Sequence, residues 1–319
     1  MTRVRWSVAM RDALYGPGGF YRVHAPAGHF ATSSQHPVFA AAIDVLIGRI
    51  DAALGHPDPL TVVDVGAGSG ELLGALTERD RTGRLAPIAV DVRPRPAGLD
   101  ARIAWADTVP EEVTGLVLAC ELLDVVPCDL AERDAAGTYR YQHVDPESGA
   151  TGPGEAVDRA DARWLERWWP LSEPGRVAAI GAPRDAAWTG LTGRLRRGAA
   201  VAIDYGHTRD TRPPDAWVAA FADGREVAPI PDGSRDLTVH VAMDSLGAEP
   251  PLRQREALLA LGVDGRRPDR ALAERAPLTY LRALGAASST ATLLDPAGLG
   301  GHLWTWRTVG VDGSALGLR

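Results

Sequence analysis

Val62-Val-Asp-Val-Gly-Ala-Gly-Ser-Gly70 decides the architecture. A β-branched run from Leu60 to Val65 ends in glycines at alternate positions, and an apolar helical face, Leu72, Leu73 and Leu76, begins at once. Glycines in such a turn let the backbone reverse sharply and approach a ligand closely. Two ligands compete for a loop of this kind. The dinucleotide pattern is G-x-G-x-x-G, with a pyrophosphate over the helix N-terminus. Here Gly66, Gly68 and Gly70 give G-x-G-x-G, and Asp64 stands inside the strand before them. A carboxylate in that place repels a pyrophosphate and suits the ammonium of an amino-acid moiety, which favours S-adenosylmethionine over NAD. A tight strand–helix turn without a ligand is the plain alternative.

Outward from the loop, short apolar runs alternate with helical patterns. Pro87–Val92, Ala101–Trp105 and Gly115–Ala119 read as strands, which predicts an α/β, Rossmann-like parallel sheet covered on both faces; Arg176–Ile180 reads as a further strand, and Ala199–Ile203 returns to the parallel-sheet pattern. Asp91 ends the second strand about 20 residues past the loop, where a carboxylate can accept hydrogen bonds from both ribose hydroxyls. It could equally be a solvated strand-end residue. Asp107 follows the third strand, placed to hold an adenine amino group or to sit in a surface loop.

Residues 1–59 read as an N-terminal cap segment, with a helix from Pro37 capped by Ser33 or Ser34. Residues 60–319 form the cofactor-binding domain, with insertions at about 130–175 and 208–300. Within the first insertion Tyr139–Val144 alternates like an exposed hairpin strand, and the Gly-, Pro- and Asp-rich stretch 145–160 is the candidate mobile segment. A helix over 160–169 carries Trp164, Trp168 and Trp169, for packing or for docking a partner. Helices are predicted over 184–196, 251–262 and 268–284, and strands over Leu237–Met243 and His302–Val309.

Composition excludes several classes. With 45% hydrophobic and 24% charged residues the chain is not disordered, and a net charge of −7 argues against a dedicated nucleic-acid binder. No run approaches the roughly 20 apolar residues of a membrane span, and the two arginines near Met1 precede no apolar leader. Two cysteines, Cys120 and Cys128, are too few for a disulfide scaffold and read as reduced cytosolic thiols, which places the protein in the cytoplasm. No metal is expected, since the 8 His show no ligand spacing. All 34 basic residues are Arg and no Asn occurs, a bias that a GC-rich genome produces.

Five blocks carry a resemblance. Phe30-Ala-Thr-Ser-Ser34, Asp64–Gly70, Cys120-Glu-Leu-Leu-Asp-Val-Val-Pro127, Ile203-Asp-Tyr-Gly-His207 and Gly233-Ser-Arg-Asp-Leu-Thr-Val-His-Val241 occur in order from about 10 to 245. Together they resemble the MidA-like methyltransferases, whose mitochondrial members assist respiratory complex I assembly and methylate an arginine of one of its subunits. The resemblance implies a class I methyltransferase sheet with inserted substrate-side elements. It also implies S-adenosylmethionine held by Thr32, Ser33, Asp64, Gly66, Gly68, Gly70, Asp91, Asp107 and Cys120. Departures are Ser34 for the family's Pro, Cys120 for its Asn, His29 for its Asp, and Gln35-His36 for a Glu-containing pair.

Methyl transfer from a sulfonium needs a nucleophile held at attack distance and, where required, a proton acceptor. A guanidinium acceptor stays protonated at neutral pH and must be oriented by carboxylates. Glu121 and Asp124 are the candidates, with Asp204 and His207 as the facing wall; an exposed loop or helix-cap pair is the alternative for the first two, and a structural hydrogen bond for His207. Tyr205 reads as packing, and Asp236 and His240 as structural or capping residues. The expected function is methylation of a protein arginine. A small-molecule or peptide methyltransferase and a non-catalytic assembly factor are the alternatives.

Overall fold

The computed structural model describes residues 3–23, 32–247 and 249–318. Seven strands make the central sheet: β1 (Leu60–Val65), β2 (Leu85–Val90), β3 (Ala104–Ala106), β4 (Val113–Cys120), β5 (Leu195–Asp204), β6 (Leu252–Arg253) and β7 (Leu303–Val309). Their spatial order is β3-β2-β1-β4-β5-β7-β6. Strands β1 to β5 are parallel, and β7 runs antiparallel to β5 and to β6. The winding goes outward from β1 to β3 and then restarts beside β1 at β4. A crevice therefore opens at the carboxyl ends of β1 and β4, where such sheets hold ligands.

The sheet is apolar on both sides because helices cover both. On one face α2 (Pro37–Leu54) and α3 (Glu71–Arg79) lay Phe39, Ile43, Leu46, Leu72 and Leu76 against Val62, Leu116, Leu118 and Ile203. The other face packs Val63, Val117, Ala119 and Ala202 against Trp188 of α5 (Ala182–Thr192). Each fully buried side chain of this size contributes about 1.5–3 kcal/mol.

A second antiparallel sheet joins Val4–Arg5, Leu130–Arg133, Tyr139–Val144, Thr151–Ala156 and Val177–Ala179. Its core takes Trp6, Met10 and Leu14 of α1 (Trp6–Tyr15), Phe20, and Trp164 and Leu165 of α4 (Arg159–Trp168). The N-terminal segment thus divides: residues 3–23 pack with the second sheet, and α2 with the first.

Local expectations are corrected in four places. The stretch 145–160 includes a hairpin strand, Thr151–Ala156, that pairs with Tyr139–Val144, its register shifting between Pro153 and Ala156. Leu237–Met243 splits into Asp236–Thr238 and Val241–Ala242, each paired to a different strand. The single helix expected over 268–284 is two, Arg270–Arg275 and Pro277–Leu294, interrupted before Pro277, which disfavours helical backbone at Ala276. Neither Ser33 nor Ser34 caps α2; they lie in a 3-10 turn and His36 precedes the helix without a side-chain cap. Of the first family-like block, Phe30 and Ala31 lie outside the described residues, as does His29.

Candidate active site

The crevice is a cavity of about 290 Å³ lined by Asp64 through Ser69 at the end of β1, by Asp91 and Arg93 after β2, by Asp107, and by Cys120, Glu121 and Leu122 at the end of β4. Tyr15, Tyr21, Thr32 and Ser34 close it from the N-terminal side. Gly66 has φ +77, and a Cβ there would stand 3.1 Å from Leu122 Cδ1, so only glycine lets the β1 turn pass the β4 turn without strain. Asp64, 4% exposed, faces the cavity at the end of β1 and accepts no hydrogen bond from a described residue. Burial, then Asp91 and Glu71, push its pKa up to about 7.

Asp91, read as a ribose acceptor or a solvated strand-end residue, already has protein donors around both its oxygens. Its Oδ1 accepts from Arg93 N at 2.9 Å and Arg93 Nε at 3.1 Å, and its Oδ2 from Gly68 N at 2.9 Å and Arg93 Nη2 at 3.3 Å. The Arg93 guanidinium is therefore part of the cavity wall, and nothing in the glycine-loop pattern announces it.

After β4 the chain turns through Glu121 at φ +53, a left-handed conformation that a non-glycine residue adopts at a cost. Glu121 N donates to Ile203 O at 2.7 Å, and its Oε1 accepts from Ser33 N at 2.9 Å, so its carboxylate is held over the cavity floor. Asp204, at the end of β5, is fully buried and accepts from Leu123 N at 2.7 Å and Asp124 N at 3.3 Å. It fixes the 121–124 turn and lines neither cavity. Burial raises the pKa of Glu121 to about 7, and burial with Glu121 nearby raises that of Asp204 to about 7. Asp124 lies well above the carboxylate range, from burial and then from Asp204, Asp236 and Glu121.

A smaller recess, about 50 Å³, adjoins the cavity through Tyr21, Glu121 and Val125. Asp124, Asp236, Tyr205, Phe221 and Thr238 complete it. Tyr21 Oη donates to Asp236 Oδ1 at 2.6 Å and stacks on Tyr15, with ring centroids 5.6 Å apart. Burial lifts Asp236 to about 6 against the pull of that hydrogen bond.

Of the candidates, the structure brings Thr32, Asp64, Gly66, Gly68, Asp91, Asp107, Cys120 and Glu121 to the cavity and Asp124 to the recess. Ser33 is buried behind it, its Oγ accepting from Gln254 Nε2 at 2.9 Å, and Gly70 starts α3. His207 is not brought to the site: its Nδ1 accepts from Arg212 Nε at 3.2 Å and its ring meets Trp169 edge-on at 4.6 Å. Burial, then Arg212, lowers its pKa to about 3. Burial also raises the Cys120 thiol well above its ordinary value, so it is not a thiolate. Residues that the sequence did not mark are Tyr15, Tyr21, Arg93 and Phe221; Asp236 and Tyr205 were legible as residues but not as cavity walls.

Residues 76–248, more than half of the chain, match the family model Methyltransf_28, "Putative S-adenosyl-L-methionine-dependent methyltransferase". The chain belongs to this family. It is the family that includes the MidA-like proteins, and the methyltransferase uses S-adenosylmethionine as methyl donor. The fold is shared over 99% of the chain with two crystal structures from Burkholderia thailandensis, each covered over 90% of its length. One is a COG1565 superfamily member bound to S-adenosyl-homocysteine, 24% identical with a TM-score of 0.79. The other is a native COG1565 superfamily protein, 25% identical with a TM-score of 0.77. No curated protein matches the chain. The residues present in the methyltransferase fit the donor: Gly66 clears the turn for close backbone approach, and the buried Asp64 faces the cavity with acceptor capacity for an ammonium. The matched segment takes in β2 to β5 with Glu121, Asp124 and Asp204, and leaves the glycine loop and β7 outside it.

Proposed function

We propose that the methyltransferase methylates a guanidinium nitrogen of a protein arginine, a subunit of respiratory complex I being the acceptor that the family suggests. The observation that carries this reading is the recess beside the cavity, with the carboxyl groups of Glu121, Asp124 and Asp236 and the rings of Tyr21, Tyr205 and Phe221 around one small space. Carboxylates orient a guanidinium by paired hydrogen bonds, and aromatic faces favour a cation. Neutral acceptors gain nothing from three buried acids. Their raised pKa values have the same sense, because an entering cation restores the charged forms that burial disfavours.

In this reading Asp64 takes the donor's ammonium, the backbone from Gly66 to Gly70 follows its amino-acid part, Asp91 accepts from the ribose and Asp107 from the adenine amino group. Thr32 and Cys120 shape the wall, and Ser33 supports it from behind. Glu121 and Asp124 hold the acceptor, and Glu121 removes its proton; Asp204 positions both through the turn. Two unpaired, buried cysteines support a cytoplasmic setting, and among the described residues no helix is long and apolar enough to cross a membrane.

The test is transfer of labelled methyl to a peptide with a single arginine, beside its lysine and citrulline counterparts. Labelling of the arginine peptide alone, lost in Glu121→Gln with S-adenosylhomocysteine binding retained, is the expected result. Labelling of the citrulline peptide would overturn the cationic acceptor. Labelling of small guanidino compounds with none of the peptide would move the acceptor to small molecules.

A further inference from the structure

The geometry points to His302 as the positioning residue that shares, through Glu121, the proton displaced from the acceptor nitrogen. It sits at the entry to β7, in the part of the chain outside the matched family segment. Its Nδ1 lies 3.8 Å from Glu121 Oε1, is fully buried, and has no hydrogen-bond partner among the described residues. A buried imidazole nitrogen with nothing to bond to is costly, and such atoms are rare unless the group has a second state in which it is satisfied.

The ring is fixed from several sides. His302 N donates to Leu299 O at 3.1 Å, and His302 O accepts from Gln254 N at 2.7 Å. Tyr205, a wall of the recess, meets the imidazole edge-on at 4.6 Å, with an interplanar angle of 87°. Gln254 in turn bonds Ser33 Oγ, whose backbone N–H holds Glu121 Oε1. One connected set of contacts therefore sets both the carboxylate and the imidazole, and only the link between them is left unmade.

The second state follows from the proposed reaction, and the inference rests on that reading of Glu121. Bound S-adenosylmethionine supplies the methyl group, and the S–C electron pair stays on sulfur as the acceptor nitrogen's pair forms the new N–C bond. The nitrogen must then lose a proton, its N–H pair remaining on nitrogen, and Glu121 is the carboxylate on the recess side. A protonated Glu121 becomes a donor, and the unpartnered Nδ1 of a neutral His302 is an acceptor within a small displacement. Burial, then His240, depresses the His302 pKa to about 4, which keeps the ring neutral and able to accept. Groups facing the pair are Asp124 and Asp204 from the β4 and β5 ends, Cys120, Tyr205, His240 beyond the tyrosine ring, and the uncharged Ser33 and Gln254.

Histidine-selective NMR labelling tests the link without an acceptor. The His302 signal, assigned by its loss in His302→Gln, should move between about pH 6 and 8 as Glu121 titrates, and that movement should vanish in Glu121→Gln. A His302 signal that is flat over this range, or that moves equally in Glu121→Gln, would overturn the inference. Calorimetry with S-adenosylhomocysteine accompanies both variants: retained binding shows that the cofactor site stands, whereas absent binding by the unaltered protein would be a failure of the methyltransferase reading instead. With the arginine peptide, His302→Gln should lower kcat by about 10- to 100-fold and leave KM within about threefold. If His302→Gln does not fold, His302→Asn, which keeps an acceptor near the Nδ1 position, should retain more kcat than His302→Ala; equal losses would count against the link.

Discussion

Four donors already converge on Asp91, three of them from Arg93, so a ribose diol must compete with a guanidinium for the carboxylate assigned to it. Arg93 also places a permanent cation on the wall of a cavity whose donor is itself cationic. Both effects oppose binding, and both disappear in Arg93→Ala. That variant should bind S-adenosylmethionine about 3- to 10-fold more tightly, the net worth of one ordinary hydrogen bond after solvation. Asp91→Ala should weaken binding by about 30-fold or more, since two ribose hydrogen bonds to a charged acceptor are lost. Isothermal titration reads both; weaker binding by Arg93→Ala would mean that its side chain supports the ligand directly. The acid at residue 91 was legible because strand length and loop spacing place it. Its partner was not, because an arginine two positions on, in a chain whose 34 basic residues are all arginine, carries no signal of its own.

The turn between strands was easier to foresee than the contact between them. Leu60–Val65 was readable to the residue, and the apolar centres of β4 and β5 were readable as well, because a strand buried on both faces must be continuously apolar; the first residues of β5, which carry Arg196 and Arg197, were not. What pattern could not show is how closely they approach. Gly115 and Gly198 are register partners on β4 and β5, and a Cβ on Gly115 would fall 2.0 Å from Thr61 O of β1, while one on Gly198 would fall 2.0 Å from Gly115 O. No side chain shift relieves a clash with backbone inside a ladder. Gly115→Ala should therefore cost more than about 3 kcal/mol, at the upper end of single substitutions, and denaturant unfolding or loss of soluble protein would register it. Gly190→Ala, on α5 with open space around its Cβ position, is the matched control and should change stability little. β7 was also readable as a strand, but its insertion between β5 and β6 depends on long-range pairing. For that reason His302 reached the site unannounced.

Across the whole molecule, the site concentrates acids that folding makes harder to ionise. Burial foremost lifts Asp64, Glu121 and Asp204 to about 7 and Asp236 to about 6, and drives Asp124 upward as well. A carboxyl group whose folded pKa exceeds its unfolded value binds more protons when folded, so its contribution is complete below the unfolded pKa and is lost as pH rises through the folded one. Buried His207 and His302 act in the opposite sense: lowered to about 3 and about 4, they favour the fold above the unfolded histidine pKa and withdraw that support in acid. At about pH 6.5 the unfolded histidines are half neutral, and over the next pH unit their remaining titration offsets only part of the effect of the five acids of the site. The ligand-free protein should therefore lose stability steadily from about pH 6.5 to about pH 8.5, read as a falling midpoint in urea at each pH. S-adenosylmethionine, a cation entering among these carboxyl groups, should flatten that slope more than neutral-sulfur S-adenosylhomocysteine does at matched saturation. Slopes that are equal for the two ligands would mean that the site's acids do not respond to the sulfonium charge. A stability that rises over this range without ligand would mean that they are not the groups that titrate.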